Sequence, residues 1–301
     1  MLVRFVTAPG SFSVKSRMII KFVFALTTFS FPFSILAQTS IDLPPVGHSE
    51  GNHRLDCTVV RPWEDDDAPL EGSFAVIAWA NGWGQGNVQG AEQTENYLSG
   101  LQFWSAGGNY LVIAANQWSA RAPDVLQCIQ WLLDANYNSE SEYFGLVDTA
   151  HIGVAGHSQG GGAALKAGDG LLMDDGGYTM VSTVVAMNPY GPSWVKAKAQ
   201  NDQIMVLGGA FDAVTPTDSF SDILDDVILS GDPGGVQAEH VEGTHCKYAC
   251  RDNFGEFGPV SLLWFQIMLT DVIPAGACNN LTALLDGGNW TTQYGPGFVC
   301  P

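Results

Sequence analysis

Short runs of apolar and often β-branched residues recur along the chain from residue 73 onward, and segments with helical spacing lie between them. Continuous runs such as SFAVIAWA are typical of strands buried on both faces of a sheet. The predicted strands are Ser73–Ala80, Asn109–Ala115, His151–Ala155, Met180–Met187, Ile204–Gly209 and Gly235–Val241, and the predicted helices are Ala122–Ala135, Gln159 to about Lys166, and Pro259–Thr270. Strands that alternate with helices predict an α/β fold, with a mostly parallel central sheet and helices on both faces.

The segment HIGVAGHSQGGG places Ser158 between Gly156 and Gly160, at the point where a predicted strand meets a predicted helix. A G-x-S-x-G pattern in this setting is typical of a nucleophile elbow. There the serine adopts a strained backbone conformation, and Cβ atoms on either side would clash. The helix that follows favours negative charge near its N-terminus. Ser158 is therefore the candidate nucleophile.

A serine hydroxyl at neutral pH needs a base to activate it. His245, in the segment EGTH, comes just after the last predicted strand and is the candidate base. His240 is the alternative, but it falls inside that strand.

The imidazole of the base needs an acid that fixes its tautomer and stabilises its charged form. Asp212 is the first carboxylate after the strand Ile204–Gly209 and is the candidate acid. The alternatives are Asp218, Asp222 and Glu242. Each chosen residue follows a strand, and α/β sheets bind ligands at the carboxyl ends of their strands. The order Ser, Asp, His along the chain is the one expected of α/β-hydrolases.

An oxyanion that forms at the nucleophile needs two backbone N–H donors. The N–H of Gln159, directly after Ser158, is the first candidate. The second is the N–H of Trp83, in the glycine-rich loop NGWGQG after the first strand. The Trp83 ring is also a candidate apolar wall for the substrate, and Tyr190, just after the strand that ends at Met187, is the candidate opposite wall.

Composition limits the partners that this chain can have. The formal net charge is −19, with 31 Asp and Glu against 12 Lys and Arg, and such a surface repels phosphate backbones. Nucleic acid is therefore excluded as a partner, and we expect a monomer whose partner is its substrate. No CxxC pair with a matching set of histidines is present, which argues against structural zinc, and the chemistry of a serine nucleophile needs no metal or organic cofactor.

Residues 1–37 have the pattern of a secretory signal peptide. Arg4, Lys15, Arg17 and Lys21 supply positive charge, the run from Phe22 to Leu36 is largely apolar, and Ala37 is a suitable cleavage position. Met18 is an alternative start. The chain is therefore expected to be secreted or periplasmic and to keep no stable membrane anchor after processing. Residues 38–301 are predicted to form a single domain.

The predicted secretion permits disulfides among the six cysteines. Six cysteines allow 15 pairings, which sequence alone does not resolve. Cys278 and Cys300 are the expected pair, because they bracket a C-terminal tail that has little core of its own and gains most from a staple. The pairing of Cys57, Cys128, Cys246 and Cys250 stays open, and Cys246 has either Cys250 or a more distant cysteine as its partner.

The segments WANGWGQG, DTAHIGVAGHSQGGGAA, GGAFDAVTP and EGTH, in this order, resemble those of the secreted bacterial polyester hydrolases. These cutinase-like enzymes include PET hydrolases and are close to chlorophyllase- and dienelactone-hydrolase-like esterases. The resemblance covers about Val59 to Cys300.

The resemblance implies the α/β-hydrolase fold and a triad of Ser158, Asp212 and His245, with Trp83 and Gln159 as oxyanion donors. In the family, Tyr or Phe usually stands at the first of these two positions and Met at the second. Tyr190 stands near the family's substrate-stacking tryptophan. The pair Cys278 and Cys300 resembles the family's C-terminal disulfide.

These features predict a serine ester hydrolase that acts through an acyl-enzyme and accepts bulky or polymeric esters. Only about 15 residues separate the strand that ends at Met187 from the next, which is too few for a cap domain. One alternative is a short-chain carboxylesterase or acetyl esterase that acts on small or carbohydrate esters. A serine peptidase would usually carry a cap or propeller. A non-catalytic binding protein of the same fold is the alternative of a different class.

Overall fold

The computed structural model describes residues 40–42, 57–62, 72–83, 94–117, 120–168, 181–191, 203–216, 234–295 and 298. All of them belong to one unit, Ile35–Pro301. The predicted signal peptide lies outside the described residues. The strands of the described part are β1 (Ser40–Asp42), β2 (Cys57–Val60), β3 (Phe74–Ala80), β4 (Leu111–Ala115), β5 (Val147–His157), β6 (Val181–Met187), β7 (Gln203–Gly209), β8 (Gly235–His240) and β9 (Trp290–Tyr294).

The helices of the described part lie between these strands and after β8. They are α1 (Leu98–Gly108), α2 (Ala122–Tyr137), α3 (Gln159–Gly168), α4 (Phe257–Met268) and α5 (Ala277–Leu285). A short 3₁₀ turn, Asp252–Phe254, precedes α4.

The described strands form one sheet in the order β1-β2-β4-β3-β5-β6-β7-β8-β9. Neighbours from β4 through β8 pair in parallel. The strands β1, β2 and β9 pair antiparallel at the two edges. The α/β class and the mostly parallel sheet that the sequence predicts are therefore confirmed.

Helices cover both faces of the sheet, which explains why the central strand β3 is apolar throughout. In β3, Val76, Ala78 and Ala80 pack in the core layer that holds α2 and α3. The alternate residues Ile77 and Trp79 pack in the layer that holds α1, α4 and α5. Because successive side chains of a strand point to opposite faces, a strand covered on both sides must be apolar at every position.

Two predicted elements differ most from the observed bounds. The strand β5 begins at Val147 rather than His151, because Val147 pairs with Phe74 before a shift in register. The helix α4 runs from Phe257 to Met268, two residues earlier than predicted at each end. Pro259 therefore lies in the first helical turn, where its missing N–H costs no intrahelical hydrogen bond.

The helix α1 was not predicted from the sequence, because glycines are poor helix formers and its sequence LSGLQFWSAGG contains three. Tertiary packing explains one of them. A Cβ on Gly100 would lie 2.4 Å from the ring of Phe254, so α1 approaches the 3₁₀ turn too closely for any side chain at that position.

The C-terminal tail, for which the sequence predicts little core of its own, packs against the core of the domain. Ala277, Leu281 and Leu285 are buried at helical spacing along α5. The strand β9 then adds to the sheet edge against β8, with Trp290 opposite His240. The tail therefore contributes a helix and an edge strand to the same fold.

The structure resolves the cysteine pairings that the sequence left open. Cys57 is bonded to Cys128 and links β2 to α2, while Cys246 is bonded to Cys250 within one loop. Cys278 is also disulfide-bonded. Its predicted partner, Cys300, lies outside the described residues.

None of the helices in the described ranges combines the length and the hydropathy that crossing a membrane requires. Residues 192–202, between β6 and β7, also lie outside the described part, so the expected absence of a cap domain stays a prediction.

Candidate active site

The turn between β5 and α3 has the strained geometry that the glycines predict. Ser158 has a φ of 56°, in the left-handed region. A Cβ on Gly156 would lie 2.2 Å from the carbonyl oxygen of Gly160, and one on Gly160 would lie 2.0 Å from that of Ala80. Side chains at these two positions would therefore push α3 away from the ends of β3 and β5.

Hydrogen bonds hold this turn against the end of β6. The Ser158 N–H donates to the carbonyl oxygen of Met187 over 3.0 Å, and the Tyr190 N–H donates to the carbonyl oxygen of Ser158 over 2.7 Å. The backbone on both sides of the serine is therefore fixed, and the direction of its side chain is fixed with it.

Ser158, His245 and Asp212 form a continuous hydrogen-bonded line. Nε2 of His245 lies 2.8 Å from Oγ of Ser158, and Nδ1 lies 2.8 Å from Oδ2 of Asp212. A carboxylate only accepts, so Nδ1 carries the proton and Nε2 accepts from the serine hydroxyl. This is the arrangement in which an imidazole can take the serine proton.

The Asp212 carboxylate is buried and receives four hydrogen bonds. Oδ1 accepts the N–H groups of Val214 and Thr215, each over 2.8 Å, and Oδ2 accepts the Thr215 hydroxyl as well as His245. Burial alone would raise the pKa of Asp212, but the hydrogen bonds from His245 and Thr215 outweigh it and leave the pKa below its ordinary value. The acid therefore stays charged and holds one orientation.

The main chain of His245 is held as firmly as its ring. Its carbonyl oxygen accepts a hydrogen bond from Nε2 of His157 and another from Nδ2 of Asn188, both over 2.8 Å. Asn188 has a φ of 42° and donates its own N–H to Leu207 in β7. Sequence reasoning missed both residues, because the contacts join parts of the chain far apart in sequence.

His157, directly before the serine, is buried and neutral. Burial, with a smaller effect of the nearby His245, lowers the pKa of His157 to about 3, although the hydrogen bond to the His245 carbonyl and the charge of Asp212 raise it. The Tyr97 hydroxyl lies 2.9 Å from Nδ1 of His157. Burial raises the pKa of Tyr97 to about 12, against the hydrogen bond that its oxygen accepts from Gly82.

The alternative residues of the sequence analysis have other contacts. His240 is buried, with Nε2 2.8 Å from a Glu256 carboxylate oxygen and its ring beside Tyr248. Glu242 is exposed and pairs with Lys247 over 3.0 Å. Asp218 and Asp222 lie outside the described residues.

The candidate oxyanion donors lie, like Ser158, just beyond the carboxyl ends of strands. Gln159 is the first residue of α3, and Trp83 follows the end of β3 by three residues. A Cβ on Gly82 would lie 2.9 Å from the carbonyl oxygen of His157, so this loop runs directly beside the elbow. Asn81 anchors it, with Nδ2 2.9 Å from both Thr94 Oγ1 and the Ala115 carbonyl oxygen. The oxyanion role itself stays a prediction.

The candidate substrate walls are exposed to solvent. The Trp83 side chain is 63% exposed and that of Tyr190 is 49% exposed, and both follow strands whose carboxyl ends lie beside Ser158. Phe211, next to Asp212, is 69% exposed, and Val214 is 52% exposed. Sequence reasoning missed the last two, although both stand in the segment GGAFDAVTP that supplied the acid.

One potential metal-binding group lies in the described part. An imidazole nitrogen of His157 and the sulfurs of Cys246 and Cys250 lie within 4.8 Å of one another. The two sulfurs are joined in a disulfide, and metal ions bind thiolates rather than disulfides. The group is therefore a histidine packed against a disulfide.

A cavity of about 580 Å³ lies at the amino-terminal ends of the parallel strands, near the starts of β3 and β5. Its lining includes His151, whose Nδ1 lies 2.7 Å from Asp148 and whose Nε2 lies 3.5 Å from Asp271. None of the residues of the hydrogen-bonded line contributes to it. The hydrogen-bonded line of Ser158, His245 and Asp212 lies instead at the carboxyl ends of the strands.

A comparison with models of known protein families finds no match, and a search among curated proteins finds no similar sequence. The class of this protein is therefore assigned from its fold and its site alone. It is an α/β protein with a mostly parallel sheet that carries a hydrogen-bonded Ser–His–Asp group at the carboxyl ends of its strands.

Proposed function

We propose that this chain is a secreted serine ester hydrolase of the α/β-hydrolase fold. The observation that carries the proposal is the unbroken line from Ser158 through His245 to Asp212, with both hydrogen bonds at 2.8 Å. A left-handed serine at a strand-to-helix turn is the geometry that exposes a nucleophile in this class of enzyme. The reaction requires no metal or organic cofactor.

In the first half of the reaction, Oγ of Ser158 attacks the ester carbonyl carbon while its proton passes to Nε2 of His245. The carbonyl oxygen becomes an oxyanion, which the N–H groups of Gln159 and Trp83 stabilise. His245 then donates the proton to the departing alkoxide, and the alcohol leaves. Asp212 stays ionised and stabilises the imidazolium that forms between these steps.

In the second half, water attacks the acyl-enzyme. His245 takes a proton from the water as it attacks, and then returns it to Oγ of Ser158 as the carboxylic acid leaves. Each proton that His245 accepts is released within the same half-reaction. The enzyme therefore returns to its starting state after one ester bond is cleaved.

Bulky or polymeric esters are the proposed substrates, in line with the resemblance to cutinase-like polyester hydrolases. Four exposed apolar side chains support this: Trp83, Tyr190, Phe211 and Val214 all follow strands that end at the site. Exposed apolar residues grouped around one site are typical of a surface that binds an apolar partner. The net charge of −19 disfavours anionic substrates.

Hydrolysis of p-nitrophenyl esters from acetate to palmitate tests the proposal. We expect Ser158→Ala to lower kcat at least about 10⁴-fold, because the nucleophile is lost. The control is Ser182→Ala, since Ser182 lies on β6 and its hydroxyl binds the carbonyl oxygen of Ala150, away from the site. We expect that variant to keep wild-type activity.

A polyester film then separates the substrate classes. Release of soluble products from the film by the wild type, and none by Ser158→Ala, is the expected result. Activity on short soluble esters without attack on the film would indicate a small-ester carboxylesterase or acetyl esterase. A folded wild type that is inert toward all these esters and toward a serine-directed phosphonate would contradict the proposal and favour a binding protein.

A further inference from the structure

A buried chain of hydrogen bonds runs beneath the candidate site and joins two of its loops. The Gly82 N–H donates to the Tyr97 hydroxyl oxygen, and that hydroxyl lies 2.9 Å from Nδ1 of His157. Nε2 of His157 lies 2.8 Å from the His245 carbonyl oxygen. Tyr97 and His157 are both buried, so no bulk water replaces these contacts.

Only one placement of the protons satisfies every member of this chain. A carbonyl oxygen can only accept, so Nε2 of His157 must carry the proton that is donated to His245. In the neutral imidazole Nδ1 is then the acceptor, and the Tyr97 hydroxyl donates to it. The His245 carbonyl therefore fixes the tautomer of His157, and Tyr97 supports that tautomer by donating a hydrogen bond to its acceptor nitrogen.

We propose that Tyr97 and His157 are positioning residues, which hold the main chain of His245 at the correct distance from Ser158 and tie it to the loop that begins at Gly82. This inference rests on the proposed function. His157 directly precedes the nucleophile in the chain and binds the base through its carbonyl group. Gly82 precedes Trp83, the candidate oxyanion donor. One buried pair thus links the nucleophile, the base and the oxyanion loop.

The neutral state of His157 suits this role. The rings of His157 and His245 have centroids 4.8 Å apart, so a positive charge on His157 would oppose the imidazolium that His245 becomes during the reaction. Burial keeps His157 uncharged, so it can donate a hydrogen bond without adding a charge beside the base.

The test measures inactivation by a p-nitrophenyl phosphonate, in which Oγ of Ser158 bonds to phosphorus, p-nitrophenolate leaves, and the serine proton passes to His245. We expect Tyr97→Phe to slow the limiting inactivation rate by about tenfold, the usual effect of one buried hydrogen bond. The phosphonate concentration at half the limiting rate should change less than about twofold, because positioning affects the reaction rather than ground-state binding.

His157→Gln and His157→Leu form a matched pair. The amide of glutamine can donate to the His245 carbonyl and accept from Tyr97, so we expect His157→Gln to react at a rate within a few-fold of wild type. Leucine can do neither, so His157→Leu should slow the reaction at least as much as Tyr97→Phe. ¹⁵N NMR of the imidazoles adds an independent measurement. His157 should be the Nε2–H tautomer in both proteins, and its Nδ1 resonance should shift in Tyr97→Phe, because that nitrogen loses its hydrogen bond.

Tyr110→Phe is the control. Tyr110 is equally buried in the same core layer, but it precedes β4 and so lies at the amino-terminal ends of the strands, away from Ser158. It should lower stability no more than Tyr97→Phe and leave the rate unchanged. If Tyr97→Phe reacts at the wild-type rate with an unchanged Nδ1 resonance of His157, the positioning role is wrong while the proposed function stands. If the wild type itself does not react, the proposed function fails and the inference fails with it.

Discussion

The hydroxyl of Thr215 donates to Oδ2 of Asp212 over 2.6 Å, so the oxygen that binds His245 receives a second donor. The same hydroxyl lies 3.2 Å from Nδ1 of His245 and 3.3 Å from the Asn188 carbonyl oxygen. Thr215 therefore stands where the acid, the base and the strand β6 meet.

We expect Thr215→Val to lower kcat on p-nitrophenyl butyrate by about tenfold, because the buried Asp212 loses one of the donors that lower its pKa. Thr215→Ser keeps the hydroxyl and should keep most of the activity. Steady-state kinetics of the two variants at pH 7 to 8 make the measurement. Equal activity of the valine and serine variants would show that the hydroxyl does not support the acid.

His157 makes stability depend on pH in a defined window. Its pKa in the folded protein is about 3, below the ordinary value of 6.5, so the unfolded chain binds the extra proton between these values. The free energy of unfolding should therefore fall as the pH falls through this range, by about 2 kcal/mol between pH 7 and pH 5 from this residue. The free energy of unfolding of His157→Gln should fall less over the same range, because this variant has no imidazole at position 157 to protonate on unfolding.

Urea unfolding at pH 7 and pH 5 measures the difference. Asp212 does not contribute to this difference. Its pKa in the folded protein is below the ordinary value of 3.8, so the stability that it provides is lost only at pH values lower than those compared here. If wild type and His157→Gln lose equal stability between the two pH values, His157 is not buried in the neutral state.

The two disulfides of the described part should affect different properties. The bond Cys57–Cys128 spans a sequence separation of 71, and Cys246–Cys250 spans 4. From loop-closure entropy, removing the first should cost about 4 kcal/mol of stability and removing the second about 2 kcal/mol. The second should nevertheless lower kcat more, because Cys246 follows the base and Cys250 Sγ lies 3.9 Å from His157.

Paired alanine variants, Cys57→Ala with Cys128→Ala and Cys246→Ala with Cys250→Ala, test this by urea unfolding and by kcat on p-nitrophenyl butyrate. Each pair serves as the control for the other. A larger loss of kcat on removing Cys57–Cys128, measured where both variants are folded, would contradict a local role of the second bond at the site.

Phe211 should matter for polymeric substrates more than for small ones. It is 69% exposed beside Asp212, where it can contact an apolar surface that faces Ser158. We expect Phe211→Ser to lower product release from a polyester film by up to about thirtyfold, since burial of an aromatic side chain is worth about 2 kcal/mol, and to leave hydrolysis of p-nitrophenyl acetate within twofold.

Tyr137→Ser is the matched control for that measurement. Tyr137 is 75% exposed at the end of α2, which leads to the start of β5 and so to the other edge of the sheet. Its substitution should leave both activities unchanged. A comparable loss on film in both variants would mean that general surface adsorption, rather than a face around Ser158, controls attack on the polymer.

The sequence was sufficient for the features that depend on local pattern. The largely apolar, β-branched runs predicted β3, β4, β6 and β7 to within a few residues, because strands covered on both faces bury nearly all of their side chains. The glycines around Ser158 predicted its strained backbone conformation, because a Cβ atom at either glycine would meet backbone atoms. Asp212 and His245, which the sequence places after strand ends, lie in one hydrogen-bonded line with Ser158, in which His245 contacts Ser158 and Asp212 contacts His245.

Only the tertiary structure decided the features that depend on contacts between distant residues. Cys246 could pair with several cysteines by sequence, and proximity in the fold selects Cys250. The helix α1 forms despite its glycines because its packing against Phe254 requires one of them. The tail forms a strand because β8 offers it an open edge.

The positions of Tyr97 and His157 show the same limit within the site. The bond between them joins residues 60 apart in sequence, and the bond from His157 to the His245 carbonyl joins residues 88 apart. No local period or motif marks such a pair, since a hydrogen bond depends on the final distance between two atoms. The chain's own pattern determined which side chains carry reactive groups, and the packed fold determined which neighbours hold them in place.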